Sequence, residues 1–356
     1  MQVESYKNNK LSVVAVDLFC GVGGLTYGLN KAGIKVVAGV DVDEKCKFAY
    51  EENNGASFIH KSIKEITSEE ILRLYPAQSL KVLVGCAPCQ PFSKHTQKEK
   101  KRETKEDWGL LYHFLELIKE VKPLAVSMEN VPQIVNHKVF SDFIEGLTSI
   151  KYSINWQNVY CPDYGIPQNR RRLVLLASKL GEIKLIPPTH KPENYKTVKM
   201  TIGNLESIKA GTSSKKDRLH RAATLSEVNL ERIRQSKPGS SWRDWDENLR
   251  ADCHRKETGG TYGSVYARME WNKPSPTITT QFYSFGTGRF GHPEQDRALS
   301  IREGAILQTF PKNYQFIPPT SLVVLKLLGR YIGNAVPVRL GEIIGKSIIK
   351  HFEEYS

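Results

Sequence analysis

The stretch Val13-Val14-Ala15-Val16-Asp17-Leu18-Phe19-Cys20-Gly21-Val22-Gly23-Gly24 decides the fold. A β-branched run ends at an acid and passes through a glycine-rich turn into the start of a helix, the usual join of strand to helix in a ligand-binding sheet. Three further apolar runs, 36–41, 80–85 and 125–129, also end at polar or glycine-containing turns. Helical patterns lie between them. Phe140, Phe143, Ile144 and Leu147 recur at i, i+3, i+4 and i+7, which predicts one buried stripe. Alternation of this kind predicts an α/β chain with a parallel sheet covered on both faces. Ligands of such sheets sit beyond the carboxyl ends of the strands, so the residues just after each run are the ones that matter.

The chain has 356 residues, room for one large or two modest domains. With 40% hydrophobic and 25% charged residues it has ordinary globular composition, which excludes a disordered tail, a collagen and a mucin-like stalk. No apolar run approaches the roughly 18 residues of a membrane span. The opening Met1-Gln2-Val3-Glu4-Ser5-Tyr6-Lys7 has no hydrophobic signal core. Six cysteines are too few and too scattered for a disulfide scaffold. These features predict a cytoplasmic enzyme with reduced thiols and no membrane partner. Charge says more: 51 Lys and Arg stand against 38 Asp and Glu, a net +13. A compact chain this basic suits a polyanion, nucleic acid first, although basic residues kept for solubility give the same count.

After about Ser178 the periodicity fades. Residues 187–265 carry prolines, glycines and scattered charge, and predict a second, irregular domain with Trp242, Trp245 and Leu249 as a small core. Leu340, Ile343, Ile344 and Ile348 then restore a helical stripe, expected to pack back on the first domain. The boundaries drawn are 1–186, completed by 326–356, and 187–325. No repeat of solenoid period is present.

Glycines in the first loop let the backbone turn tightly and let a ligand approach the main chain. Such turns hold nucleotides, but a plain structural turn has the same composition. The third glycine of the dinucleotide fingerprint is missing, which disfavours a nicotinamide oxidoreductase. Asp41 ends the second run, where an acid can accept both hydroxyls of a ribose; capping a helix that starts near Glu44 is the alternative. In the loop Gly85-Cys86-Ala87-Pro88-Cys89-Gln90-Pro91-Phe92-Ser93, two prolines bracket Cys89-Gln90 and hold one side chain rigidly. As half of a zinc site, Cys86-x-x-Cys89 lacks a second Cys/His pair, so no metal is expected. As a redox pair it lacks thioredoxin-like surroundings. The third reading is a nucleophilic thiol at Cys89, its thiolate favoured by positive charge, with Cys86 a small strand-end residue.

These residues and four further motifs, in order along most of the chain, resemble the DNA (cytosine-5) methyltransferase family. The 17–24 loop resembles its first S-adenosylmethionine motif and 85–93 its Pro-Cys-Gln loop. Glu129-Asn130-Val131 is similar to the Glu-Asn-Val motif, and Gln168-Asn169-Arg170-Arg171-Arg172 to the Gln-x-Arg-x-Arg motif. Residues 268–279, with Pro274-Ser275-Pro276-Thr277-Ile278-Thr279, look like the ninth motif, and Gly333-Asn334-Ala335-Val336-Pro337 like the tenth. The resemblance implies a Rossmann-like methyltransferase sheet with a small target-recognition domain. It implies S-adenosylmethionine as cofactor, held by Asp17, Phe19, Gly21, Gly23, Gly24, Asp41, Ser62, Pro88, Leu111 and Asn334. Cys89, Glu129, Arg170 and Arg172 would be catalytic, and Gln90, Ser93, Asn130 and Gln168 would meet the substrate. Two departures touch the cofactor side: Ser62 stands where the family often has an acid for the adenine amino group, and Trp108 where arginine is common.

The chemistry suits these residue types. Cytosine C5 is a poor nucleophile, and addition of a thiolate at C6 pushes electron density onto it. Glu129 would hold or donate a proton at N3, Arg172 would bind the O2 side, and Arg170 a phosphate or the same base. The ring atoms are inaccessible in a stacked duplex, so the base must be extruded. Residues 94–107, with six basic and four acidic side chains, would be the loop that closes over DNA, or a plain solvated loop. Lys215, Lys216, Arg218, Arg221, Arg232, Arg234, Arg243 and Arg250 are available to phosphates and bases, whereas Trp242 and Trp245 are expected to fill a core. The expected protein is a bacterial modification enzyme, monomeric, acting on double-stranded DNA, with any cognate restriction endonuclease acting separately. Its rivals are a tRNA cytosine-5 methyltransferase, whose Cys-Phe-Thr signature has no counterpart here, and a catalytically silent DNA-binding regulator on the same fold, which an intact Cys89, Glu129 and Arg172 disfavour.

Overall fold

A computed structural model describes residues 12–88, 105–256, 260 and 263–355. The strands are β1 Ser12–Leu18, β2 Lys35–Asp41, β3 Ser57–His60, β4 Ser79–Gly85, β5 Ala125–Asn130, β6 Ser153–Tyr160, β7 Gln168–Asn169, β8 Arg171–Ser178 and β9 Ser275–Pro276. Seven of them form one sheet in the order β3-β2-β1-β4-β5-β8-β6. The pairs from β3 to β5 are parallel, while β8 runs antiparallel to both β5 and β6. The expected α/β architecture is the one observed. The four apolar runs are β1, β2, β4 and β5, each within a residue of its expected ends. Every residue of β5 is buried, as sheets covered on both faces require, whereas β6 lies at the edge and exposes half its length.

The helices between these strands are α1 Gly24–Lys31, α2 Lys47–Asn54, α3 Ser68–Leu74, α4 Lys105–Val121 and α5 Lys138–Ser149. Each begins where its sequence lets it. Thr67 and Glu70 close a reciprocal capping box at α3, satisfying two backbone donors that the first turn leaves open. In α5, Phe140, Phe143 and Leu147 are buried as the stripe predicts, and Phe114 of α4 packs on Phe143 with ring centroids 5.8 Å apart. α4 begins at Lys105, so the last three residues of the charged stretch 94–107 are helical; the rest lies outside the described residues.

Two compact units emerge. The first comprises 1–160, 171–188 and 336–356; the second, 161–170 and 189–335. Apart from residues 187–188, which stay with the first unit, the division departs from the drawn boundaries in two places. Gln168–Asn169 leave the large sheet to pair as β7 with β9, carrying 161–170 into the second unit. Residues 326–335 belong there too. The second unit contains α6 Val198–Ile202, α7 Glu227–Gln235, α8 Asp252–Arg255, α9 Ile301–Leu307 and α10 Leu325–Asn334, and α10 packs on α9. α11 Val338–Glu354 closes the first unit, with Leu340, Ile343, Ile344 and Ile348 fully buried.

The second unit has little regular structure, and buried arginines hold it together. Arg268, 4% exposed, donates to the carbonyls of Ile233, Ser236, His292 and Gln295 and pairs with Asp296. Trp242, Trp245 and Leu249 form the expected core with Ile233 and Phe285. Arg232 and Arg218, basic residues that sequence offered to DNA, donate instead to carbonyls within the unit: Arg232 to Leu249, Arg218 to Pro318, Pro319 and Ser321. Among the described residues no helix is long and apolar enough to cross a membrane.

Candidate active site

The sheet order reverses between β1 and β4, whose ends lie level, Leu18 opposite Gly85. Such a reversal opens a crevice at the carboxyl edge. On the β1 side the chain turns sharply: Phe19 has φ 61°, Gly21 φ 50° and Gly23 φ 86°. Only glycine suits position 23, since a Cβ there would sit 2.3 Å from Asn54 Nδ2. A Cβ at Gly21 would meet nothing within 4 Å among the described residues, so space is open on that side of its Cα.

Asp17, the last residue but one of β1, is almost fully buried. Its Oδ2 accepts from Thr26 Oγ1 at 2.6 Å, and Tyr50 Oη lies 3.1 Å from that hydroxyl. Its Oδ1 is buried and has no hydrogen-bond partner among the described residues. Burial raises its carboxyl pKa to about 7, against the Thr26 hydrogen bond and with help from the charge of Asp41. Asp41 lies at the end of β2 and ties that strand to the glycine turn: Oδ2 accepts from Gly21 N at 2.8 Å and Oδ1 from Asp43 N at 2.9 Å. Burial raises its pKa as well. The cap at Glu44 is Asp43, which accepts from Lys45 N, so Asp41 does not serve there. Ser62, two residues past β3, accepts from Lys64 N through its hydroxyl. Leu111 lies in the core under the sheet, and Pro88 is exposed.

The second cluster forms where β4 and β5 end and β8 begins. Gly85 pairs with Met128 and Glu129 with Val174, so Cys86 comes beside Glu129, while Arg172 shares the face of Val174. Glu129 is 2% exposed. Cys86 Sγ donates to its Oε2 at 2.7 Å, and Arg172 Nε stands 3.1 Å from its Oε1. Asn130 Nδ2 donates to Ala87 O at 3.2 Å, and Asn130 Oδ1 accepts from Val131 N. The next strand therefore grips the segment leading into Cys89. Cys89, Gln90 and Ser93 lie outside the described residues, as does the side chain of Trp108.

The remaining site residues fall in the second unit. Gln168, fully buried, donates from Nε2 to Leu307 O and Gln308 Oε1 and accepts at Oε1 from Ile278 N. Both its N–H bonds are engaged, so the amide clasps the 278 segment to α9 inside the unit. Gln308 in turn donates to Ile332 O. Arg170, 3% exposed, donates to Ile278 O at 3.2 Å, and Asn334 is exposed at the end of α10. Sequence reasoning missed Cys86 as a partner of Glu129. Both residues stood at run ends, but which runs are neighbours in the sheet is not written in the runs themselves.

The architecture is that of a Rossmann-like methyltransferase. A prophage-encoded protein of E. coli, assigned as a DNA modification methyltransferase, superposes with TM-score 0.72 at 23% identity over 96% of this chain and all of that one. The Entamoeba histolytica methyltransferase EhMeth does so with TM-score 0.66 at 15% identity, over 96% and 99%. The chain belongs to the C-5 cytosine-specific DNA methylase family, whose model matches residues 13–350. It is 54% identical to the Type II methylase M.HgiDII of Herpetosiphon aurantiacus over 95% of each chain, and 26% identical to the Type II methyltransferase M.Sau96I of Staphylococcus aureus over 100% of this chain and 80% of that one. It is a DNA (cytosine-5) methyltransferase.

Proposed function

We propose that the enzyme transfers a methyl group from S-adenosylmethionine to C5 of cytosine within a specific double-stranded DNA sequence, by covalent addition of Cys89 to C6 of an extruded base. The observation that carries this reading is Glu129, a buried carboxyl beside the start of the Cys89 loop, hydrogen-bonded by Cys86 and ion-paired with Arg172. The residues of the first loop fit the cofactor. Asp17 offers a buried Oδ1 with no hydrogen-bond partner among the described residues, Gly21 open space beside its Cα, and Asp41 a carboxyl group at the neighbouring strand end where a ribose is met. When bound, S-adenosylmethionine supplies a methyl group on a positively charged sulfur.

The chain's residues do the rest. The Cys89 thiolate would give its electron pair to C6, and the ring pair would shift to C5 and form the bond to the methyl carbon as the methyl–sulfur bond breaks, its pair staying on sulfur as a neutral thioether. Glu129 holds a proton at N3 and stabilises the electron-rich ring, and Arg172 meets O2. Loss of the C5 proton to a base returns the pair to the ring and expels the Cys89 thiolate from C6. Asn130 fixes the backbone at Ala87 and so sets where the loop starts. Residues 187–325 would read the target, and the enzyme would act as a monomer, with a cognate restriction endonuclease cutting unmodified DNA separately, as the Type II names of its relatives imply for them.

DNA carrying 5-fluorocytosine tests the mechanism, because fluorine cannot leave C5 as a proton does. The wild-type enzyme should form an adduct that survives denaturation and needs S-adenosylmethionine, and Cys89→Ser should form none. An adduct in Cys89→Ser, or methylated RNA in place of DNA, would overturn the reading.

A further inference from the structure

We infer that Cys86 is a positioning residue for the methyl transfer: its thiol holds the Glu129 carboxyl in the orientation that reaches the base. The inference rests on the catalytic reading of Glu129 above. A carboxyl has two oxygens and rotates about its last bond, so a single partner leaves its plane poorly defined. Here the oxygens have different partners on different strands. Oε2 accepts from Cys86 Sγ at 2.7 Å from the end of β4, and Oε1 faces Arg172 Nε at 3.1 Å from β8. Arg172 alone leaves the carboxyl free to tilt about that contact; the thiol removes the freedom. Glu129 is 2% exposed, so no bulk water competes for the same oxygen.

The register makes the contact systematic. β4 and β5 are parallel, with Gly85 opposite Met128, so the next residue of each strand is brought abreast. Asn130 fastens the same two strand ends through Ala87 O, one residue further along. In this role Cys86 is the donor to Glu129 and touches no reacting atom. In sequence Cys86 stands three residues before Cys89, so the residue that contacts Glu129 leads directly into the one that carries the nucleophile.

The test measures single-turnover methylation alongside DNA binding. Cys86→Ala should slow the chemical step about tenfold, the order expected for a lost hydrogen bond to a charged or reacting group, with DNA affinity unchanged. Cys86→Ser, which keeps a donor, should restore the rate to within about twofold of the parent. In a Glu129→Ala background, Cys86→Ala should cost little more, since its partner is gone. Unchanged chemistry in Cys86→Ala, an equal loss in Cys86→Ser, or additive losses in the double variant would each overturn the inference. The fluorocytosine adduct separates the two levels. If the parent forms it through Cys89 while Cys86→Ala behaves as wild type, only the role of Cys86 falls; if the parent forms none, the catalytic reading itself falls.

Discussion

Asp17 is legible in the sequence as the acid ending an apolar run, but its state is not. Burial and the proximity of Asp41 lift its carboxyl from an ordinary 3.8 to about 7. Below about pH 4 the acid is neutral whether the chain is folded or not, and its contribution to stability is fully present. As pH rises toward 7 the unfolded chain ionises first, so the contribution falls, and above about 7 it is gone. Asp17→Asn cannot ionise and should not show this loss. In urea titrations the stability of wild type relative to Asp17→Asn should fall by about 3 kcal/mol between pH 4 and pH 7. Parallel curves would mean that the buried carboxyl stays ionised. Cys86 teaches the converse. Its residue type suggested a generic strand end, and only the pairing of β4 with β5 reveals its partner.

At the scale of elements, the sheet was readable because its strands are covered on both faces and appear as unbroken apolar runs. The return of α11 was readable from its stripe, but its manner of packing was not, because close approach depends on residues that are absent from hydrophobic patterns. α1 and α11 meet through glycines. A Cβ on Gly28 would lie 2.3 Å from Val338 O and 2.5 Å from Glu342 N, and one on Gly345 would lie 2.6 Å from Ala32 Cβ. Gly28→Ala should therefore push the helices apart and cost about 1–3 kcal/mol, read as a lower urea midpoint. Gly109→Ala is the contrast. Gly109 lies within α4, where a new Cβ meets nothing within 4 Å among the described residues, so the change should raise stability by about 0.5–1 kcal/mol. Equal effects at the two sites would deny that helix contact sets the glycine at 28.

For the molecule as a whole, the second unit was the least readable part. Its folding relies on Arg268 reaching four carbonyls, and on Arg297, fully buried, pairing with Glu303 at 2.7 Å. Such arginines look like surface charge in a sequence, which is why Arg218 and Arg232 were offered to DNA. Those with internal partners are poor candidates for reading bases, and the specificity proposed for residues 187–325 rests on the others. Exchanging 187–265 for the corresponding stretch of a relative with another target should move the methylated sequence, as mapped by methylation sequencing; an unmoved target would place recognition elsewhere. The order of the chain has a consequence for its birth. The last helix of the first unit, α11, follows the whole of the second, so about 160 residues separate the end of β8 from Val338. At roughly 5–20 residues per second, the ribosome takes about 8–32 s to make them. Throughout that interval the glycine face of α1 waits for its cover, and the nascent first unit, with its glycine turn already synthesised, must remain soluble while still incomplete.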